Sequence, residues 1–264
     1  MVATVLRLRC RILGNTLARR PWQLVGFCFG ILSALWILGM VVAALVAVAA
    51  LQGVEVARMV TTLGGAALLV GWVLGPILVA GAETTVDAEK LAPFPLTVRQ
   101  VMAALTATGL TGIPGIVTTL AALATVVLWV RWPVAAIIAA PCIALAVLTC
   151  VVASRLVTAL SGGLGGNRRG REFIGTIVLV LLILAGPLAS GIIALLGAMR
   201  DSTGLGTRLS EITGILGWTP LGASWSAPAD VAAGAWPAAL AKMVIAAATL
   251  AVLWLLWARV LVAA

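Results

Sequence analysis

Hydrophobic positions along this chain do not alternate with polar ones; they gather into six long blocks, separated by short polar stretches. The blocks run from Leu24 to Leu51, Met59 to Ala82, Val101 to Val130, Pro133 to Ser154, Ile174 to Met199 and Ala238 to Val260, and none has a charged side chain in its middle. A bilayer's hydrocarbon core is about 30 Å thick and an apolar helix of roughly 20 residues spans it, a length that every block meets. Backbone amides in lipid must be satisfied within their own segment, so the blocks predict helices. The expected fold is all-α, a polytopic membrane protein with six transmembrane helices. Residues 23–264 form the transmembrane domain, and residues 1–22 form a separate interfacial helix ahead of it.

The polar stretches set the orientation. Arg7, Arg9, Arg11, Arg19, Arg20, Lys90, Arg99, Arg155, Arg168, Arg169, Arg171 and Arg259 fall on one side of an alternating six-span arrangement. Arg58, Arg131, Arg200, Arg208 and Lys242 fall on the other. Basic residues are retained in the cytoplasm, so both termini are expected there. The first span exceeds a signal-peptide core and should remain as an uncleaved anchor. Trp22, Trp254 and Trp257 lie toward inner ends. Trp129, Trp132, Trp218, Trp225 and Trp236 lie toward outer ends or the outer loop, as amphipathic rings favour headgroup depth. Trp36 and Trp72 lie deeper in their spans, where packing inside the bundle is expected.

Composition narrows the class further. Only 9% of residues are charged, against roughly 25% in soluble domains, so no separate water-soluble domain is expected. The net charge of +9 sits in short loops beside apolar runs, a matter of topology and not of nucleic-acid binding.

Two cytoplasmic stretches have a pattern beyond solvation. In residues 1–22, Val2, Val5, Leu6, Ile12, Leu13, Thr16 and Leu17 share an arc opposite Arg7 and Arg11, and Pro21 ends the helix, which suits the membrane surface. Residues 83–100 hold Glu83, Asp87 and Glu89, three of the eight acidic residues, followed by Lys90, Leu91 and Pro93-Phe94-Pro95. A short helix there, stopped by the prolines, would present acids on one side and Leu91 and Phe94 to a partner. The alternative is that Leu91 and Phe94 pack on the bilayer surface.

Leu160-Ser161-Gly162-Gly163 imitates a nucleotide-binding signature, but no Gly-Lys pair of a phosphate loop occurs anywhere, and Arg168, Arg169 and Arg171 follow. A flexible basic connector explains this run. The chain has no histidine or tyrosine and no carboxylate pair within a block, so no catalytic, metal or cofactor site is expected. Cys10, Cys28, Cys142 and Cys150 lack CxxC spacing. Ion-coupled carriers keep titratable groups near the midplane, so uphill transport would draw its energy from another chain.

Small residues mark helix contacts. Gly26 with Gly30 and Gly71 with Gly75 have GxxxG spacing, which permits close approach in lipid. Thr111, Thr118 and Thr125 recur every seven residues near Thr108, on a span that Pro114 should kink. They form either a polar seam in a path or, the reading favoured here, helix contacts. The outer loop, residues 200–237, mixes Trp218, Trp225 and Trp236 with turn residues and suits short helices at or dipping into the outer leaflet. Arg200, Asp201, Arg208, Glu211 and Asp230 are left for its wet side.

Taken in order, these segments resemble the permeases of bacterial ABC type 2 exporters: the Arg-rich amphipathic start, the Pro21-Trp22-Gln23-Leu24 approach to the first span, the acidic loop ending in LAPFPL (Leu91 to Leu96) and the WTPLGASWSAPADVAAGAW stretch (Trp218 to Trp236). The resemblance covers nearly the whole chain. It implies a bacterial cytoplasmic-membrane protein without its own ATPase, paired with an ATP-binding-cassette subunit that brings ATP and magnesium. Glu83, Asp87, Glu89, Lys90, Leu91 and Phe94 would form its docking helix, and the first 20 residues the connecting helix. Similar permeases often fuse two six-span halves, so a second half, as a homodimer or a partner half, is implied. The expected function is export of an amphipathic substrate. The alternatives are a non-transporting membrane scaffold or assembly factor, and an ion-coupled carrier.

Overall fold

The computed structural model describes residues 21–51, 53–78, 97–164 and 205–263. Every regular element among them is helical: α1 (Pro21–Leu51), α2 (Val54–Leu78), α3 (Val98–Leu110), α4 (Ile113–Ala124) running into a 3-10 turn (Thr125–Trp129), α5 (Pro133–Leu164), α6 (Leu205–Leu216), α7 (Ala223–Ala232) and α8 (Trp236–Ala263). Four of these helices, α1, α2, α5 and α8, are long and apolar enough to cross a membrane. A fifth span results if the bent pair α3 and α4 is taken as one. The chain is a membrane protein. The fifth expected block, Ile174 to Met199, and residues 1–20 of the interfacial helix expected over residues 1–22 lie outside the described residues, as do Glu83, Asp87, Glu89, Lys90, Leu91 and Phe94; Pro21 and Trp22 begin α1.

Helix α5 is the axis of the bundle. It packs on α2, α7 and α8, with α3 and α4 along another side. Its small inward residues, Ala135, Ala139, Ala146 and Cys150, are all at least 98% buried, which lets neighbouring backbones come close where packing must replace the hydrophobic effect. Leu128 and Trp129 fill the space beside its start, and Met102, Leu105, Val152, Leu156 and Trp257 pack together toward its far end. Helix α5 continues ten residues past the expected end of its block at Ser154, through Leu164, and takes Arg155 and the Leu160-Ser161-Gly162-Gly163 run, expected as a flexible connector, into the helix.

The third block is two helices where the sequence suggested one kinked one. Helix α3 opens on a capping box, Thr97 with Gln100, three residues before the expected start of the span. It ends at Leu110, and α4 sets off at 70° to it. Gly112 is extended and Pro114 sits in the first turn of α4, where its missing N–H costs nothing. Gly115 makes the corner possible, since a Cβ there would overlap the carbonyl oxygen of Gly109. Proline therefore starts a new helix instead of bending an old one.

Helix α1 stands apart. Among its residues 29–51 the buried ones are Leu45 and Val48, near its end, where they join the core beside α4 and the 3-10 turn. Arg131 clasps its end by donating to the carbonyl of Ala50 at 3.0 Å, which puts the end of α1 and the start of α5 at the same face of the bundle. Trp36, expected to pack inside, is 72% exposed and faces the surroundings of the bundle.

Candidate functional site

At the end of the bundle where α2 and α8 begin, the chain forms a wedge. Helix α6 packs on α2, a turn through residues 217–222 reverses the chain, and α7 returns between α2, α5 and α8. Every residue from Ala223 to Val231 is buried. The short helices expected in this stretch are present as α6 and α7, and α7 is a core element and not a surface one. Small side chains explain the fit: Ala223, Ala227 and Ala229 are fully buried and let the helix lie close against its neighbours. Trp225 lies where a Cβ on Gly65 would be, so the ring rests on the α2 backbone. Ser226 donates to the carbonyl of Gly217 at 3.2 Å and ties α7 to the end of α6. Gly234, at φ +78°, takes the left-handed conformation that ends α7 before α8 starts at Trp236.

The wedge carries one carboxylate into the core. Asp230 is 97% buried and accepts charge from two helices: Arg58 of α2 at 3.1 Å and Lys242 of α8 at 2.5 Å. The ring of Trp218, 5.2 Å from the Lys242 ammonium, adds a cation–π contact. Glu55 sits 3.8 Å from Arg58 but is well exposed and contributes little. Helices α2 and α8 are thus held through α7, with Asp230 as the common counter-ion. A buried ion set of this kind is strongly position-dependent, because removing one member strands the others at a cost of about 3–5 kcal/mol.

Sequence reasoning left Asp230 on the wet side of the outer loop and Arg58 in a loop; both assignments are corrected. Helix α2 begins at Val54, so Arg58 lies one turn inside it. A signal was present: Asp230 is flanked by Pro228, Ala229, Val231 and Ala232, and Lys242 lies within an apolar block. A lone carboxylate in apolar sequence and a lone lysine inside a span both ask for a buried partner.

Two donors beside the cluster lack acceptors. Arg58 Nε and the hydroxyl of Thr62 are buried and have no hydrogen-bond partner among the described residues. Thr62 lies one turn below Arg58 on the same face of α2, at the level where Gly222 closes against it. Each such group costs about 1–3 kcal/mol and calls for an explanation.

Below the wedge lies an apolar cleft of about 330 Å³ between α2, α5 and α8, roofed by Pro220 and Leu221 and walled by Leu69, Val73, Ala153 and Leu253 among others. Its two threonines are spoken for: Thr149 donates to Leu145 at 2.7 Å and Thr249 to Ile245 at 2.8 Å.

The threonines singled out in the third block do not share one stripe, because the 70° corner at Thr111-Gly112 separates them. Thr108 is buried against α5, where it accepts from Arg155 at 3.4 Å. Thr111 is exposed and donates to Ala107, and Thr125 donates to Ala122. Thr118 accepts from the indole of Trp72 at 3.0 Å, joining α4 to α2. Cys142 and Cys150 are both buried on α5. Comparison with protein-family models, with curated proteins and with solved structures gives no match.

Proposed function

We propose that this chain is the membrane-spanning permease subunit of an ATP-driven exporter of the ABC type, carrying an amphipathic substrate out of a bacterial cytoplasm. The observation that carries the reading is the seam between α2 and α8: an apolar cleft within the bundle, stoppered at one end by a separate short helix that is held through charge. A path that opens alternately to two sides needs such a stopper, able to exist in two arrangements that a partner can bias. In this reading both termini are cytoplasmic and α7 lies toward the outside. The resemblance of the segments ending in LAPFPL and spanning Trp218 to Trp236 points the same way.

The energy source is a partner. Glu83, Asp87, Glu89, Lys90, Leu91 and Phe94 present the docking surface for an ATP-binding-cassette subunit, which holds ATP and magnesium, and a second permease half completes the path. The test is co-purification with the ATPase encoded beside this gene, together with ATP-dependent uptake into inverted vesicles. Replacing Glu83, Asp87 and Glu89 with Lys should abolish both. Retained binding and uptake would overturn the docking assignment, and a chain that binds no ATPase would favour a scaffold.

One observation favours a second reading, an ion-coupled carrier. Asp230 between Arg58 and Lys242 is a buried carboxylate inside the bundle, the kind of group that ion-driven devices keep there for function. Concentrative flux in liposomes holding this chain alone under a proton gradient would select it.

A further inference from the structure

We infer that the wedge opens along one seam only: α7 parts from α2 while it stays on α8, and Arg58 changes partner from Asp230 to Glu55 as it does so. The use of that motion in transport rests on the permease reading above, whereas the motion itself does not.

The two ion pairs on Asp230 are unequal. Lys242 lies 2.5 Å from Oδ2, its side chain is 4% exposed, and the ring of Trp218 covers it. Breaking that pair would strand an ammonium inside the bundle, the costly outcome for a buried charge. Arg58 is placed differently. Its side chain is 19% exposed, and the nitrogen that meets Asp230 Oδ1 at 3.1 Å, Nη2, also lies 3.8 Å from Oε1 of Glu55. Glu55 is 61% exposed and sits three residues back on the same helix, an ordinary spacing for an ion pair on a helix surface. When α7 leaves α2, Arg58 therefore keeps a carboxylate within reach, and Asp230 keeps Lys242.

Polar groups on the α2 side of the seam favour the change. Arg58 Nε and the Thr62 hydroxyl are buried without a hydrogen-bond partner among the described residues, and Thr62 lies against Gly222 at the start of α7. Parting the two helices would bring water to both donors. Asp230 Oδ2 also lacks a directed hydrogen bond, but it keeps the Lys242 ammonium beside it in either arrangement. Apolar packing across the seam has little interlock, since the Trp225 ring rests on bare backbone at Gly65. Pro220 and Leu221 lead directly into α7, so their withdrawal with it would uncap the cleft where Leu69 and Val73 of α2 line it.

Two cysteine reporters test the motion: Thr62→Cys on the α2 side of the seam, and Ala239→Cys on α8, in the cluster that holds Ala229 and Val231 of α7. Both positions are buried, Thr62 at 0% and Ala239 at 2% exposure, so static access alone predicts no faster reaction at Thr62. Full-length chain carrying either reporter, in discs of zwitterionic lipid, would be treated with a water-soluble maleimide, with labelling at the reporter read by peptide mass spectrometry. Thr62→Cys should label about tenfold faster than Ala239→Cys, because labelling follows the population of the open seam. Adding Glu55→Ala should slow Thr62→Cys about threefold and Glu55→Lys about tenfold, with Ala239→Cys unchanged in both. Loss of a nearby carboxylate by itself favours the thiolate and would speed the reaction, so slowing is the distinctive sign. Should Ala239→Cys not fold, the Glu55 series on Thr62→Cys decides alone, since Glu55 is exposed and its variants leave the buried pairs in place. Equal rates at the two reporters, or unchanged or faster labelling of Thr62→Cys in the Glu55 variants, would overturn the proposal, as would Ala239→Cys slowing in step, which would mean that α7 leaves both helices together. Because neither ATPase nor substrate is present, a failure here leaves the transport reading standing, and a seam that opens in a chain that moves nothing sinks only that reading.

Discussion

At the scale of single residues, Asp230 has the largest consequences. It neutralises Arg58 and Lys242 from a position with almost no access to solvent, so its worth is the cost of leaving two cations unpaired and not the sum of two salt bridges. Asp230→Ala is expected to destabilise the chain by about 3–5 kcal/mol, and the double variant Asp230→Ala with Lys242→Met by less than Asp230→Ala alone, because one stranded charge is gone. Equilibrium unfolding in mixed detergent would show a positive coupling between the two sites; strict additivity would mean that Lys242 does not depend on Asp230. Tryptophans make the complementary point. Trp129, Trp225 and Trp257 were placed by sequence at headgroup depth, yet Trp129 and Trp257 are 99% buried and Trp225 nearly so. Trp254 stands edge-on to Trp257 at 5.7 Å. An indole near a helix end suits an interface and a packed core equally well, and only the neighbours decide between them.

At the scale of elements, glycine and proline determine where helices stop and how close they come. The run Gly112-Ile113-Pro114-Gly115 turns one apolar block into two helices, and Gly65 leaves the α2 backbone bare for Trp225. Gly65→Val should push Trp225 and with it α7 away from α2, at a cost of about 1–3 kcal/mol for forced repacking. Its sharpest signature would be exposure: a cysteine at Thr62, buried in the parent chain, should react with a water-soluble maleimide several-fold faster in the Gly65→Val background. No change in reactivity would show that α7 does not depend on this contact. The bend at Pro114 was legible in the sequence as a break. Its form was not, because a proline in the first turn of a new helix and one in the interior of an old helix have the same letter, and the difference lies in the extended conformation of Gly112.

At the scale of the whole molecule, α1 and α8 carry broad apolar faces that no described residue covers, Phe29, Leu32, Trp36 and Met40 on the first and Leu240, Val244 and Leu255 on the second. Faces of this kind suit lipid or another apolar helix surface. On the permease reading, the chain co-expressed with its ATPase is expected to run as two copies of each in size-exclusion chromatography with light scattering, and a stable one-to-one particle would exclude a path formed between two halves. The sequence by itself determined that the chain lives in a membrane and is helical, because run length and the absence of charge act locally: each block must satisfy its own amides whatever its neighbours do. It also located three of the spans to within about five residues at their described ends, whereas α5 runs ten residues past the expected end at Ser154. Only the tertiary structure decided where the charges go. Arg58, Asp230 and Lys242 are far apart along the chain; Asp230 and Lys242 each ask for a buried partner, but which groups meet is decided only once α7 is wedged between α2 and α8.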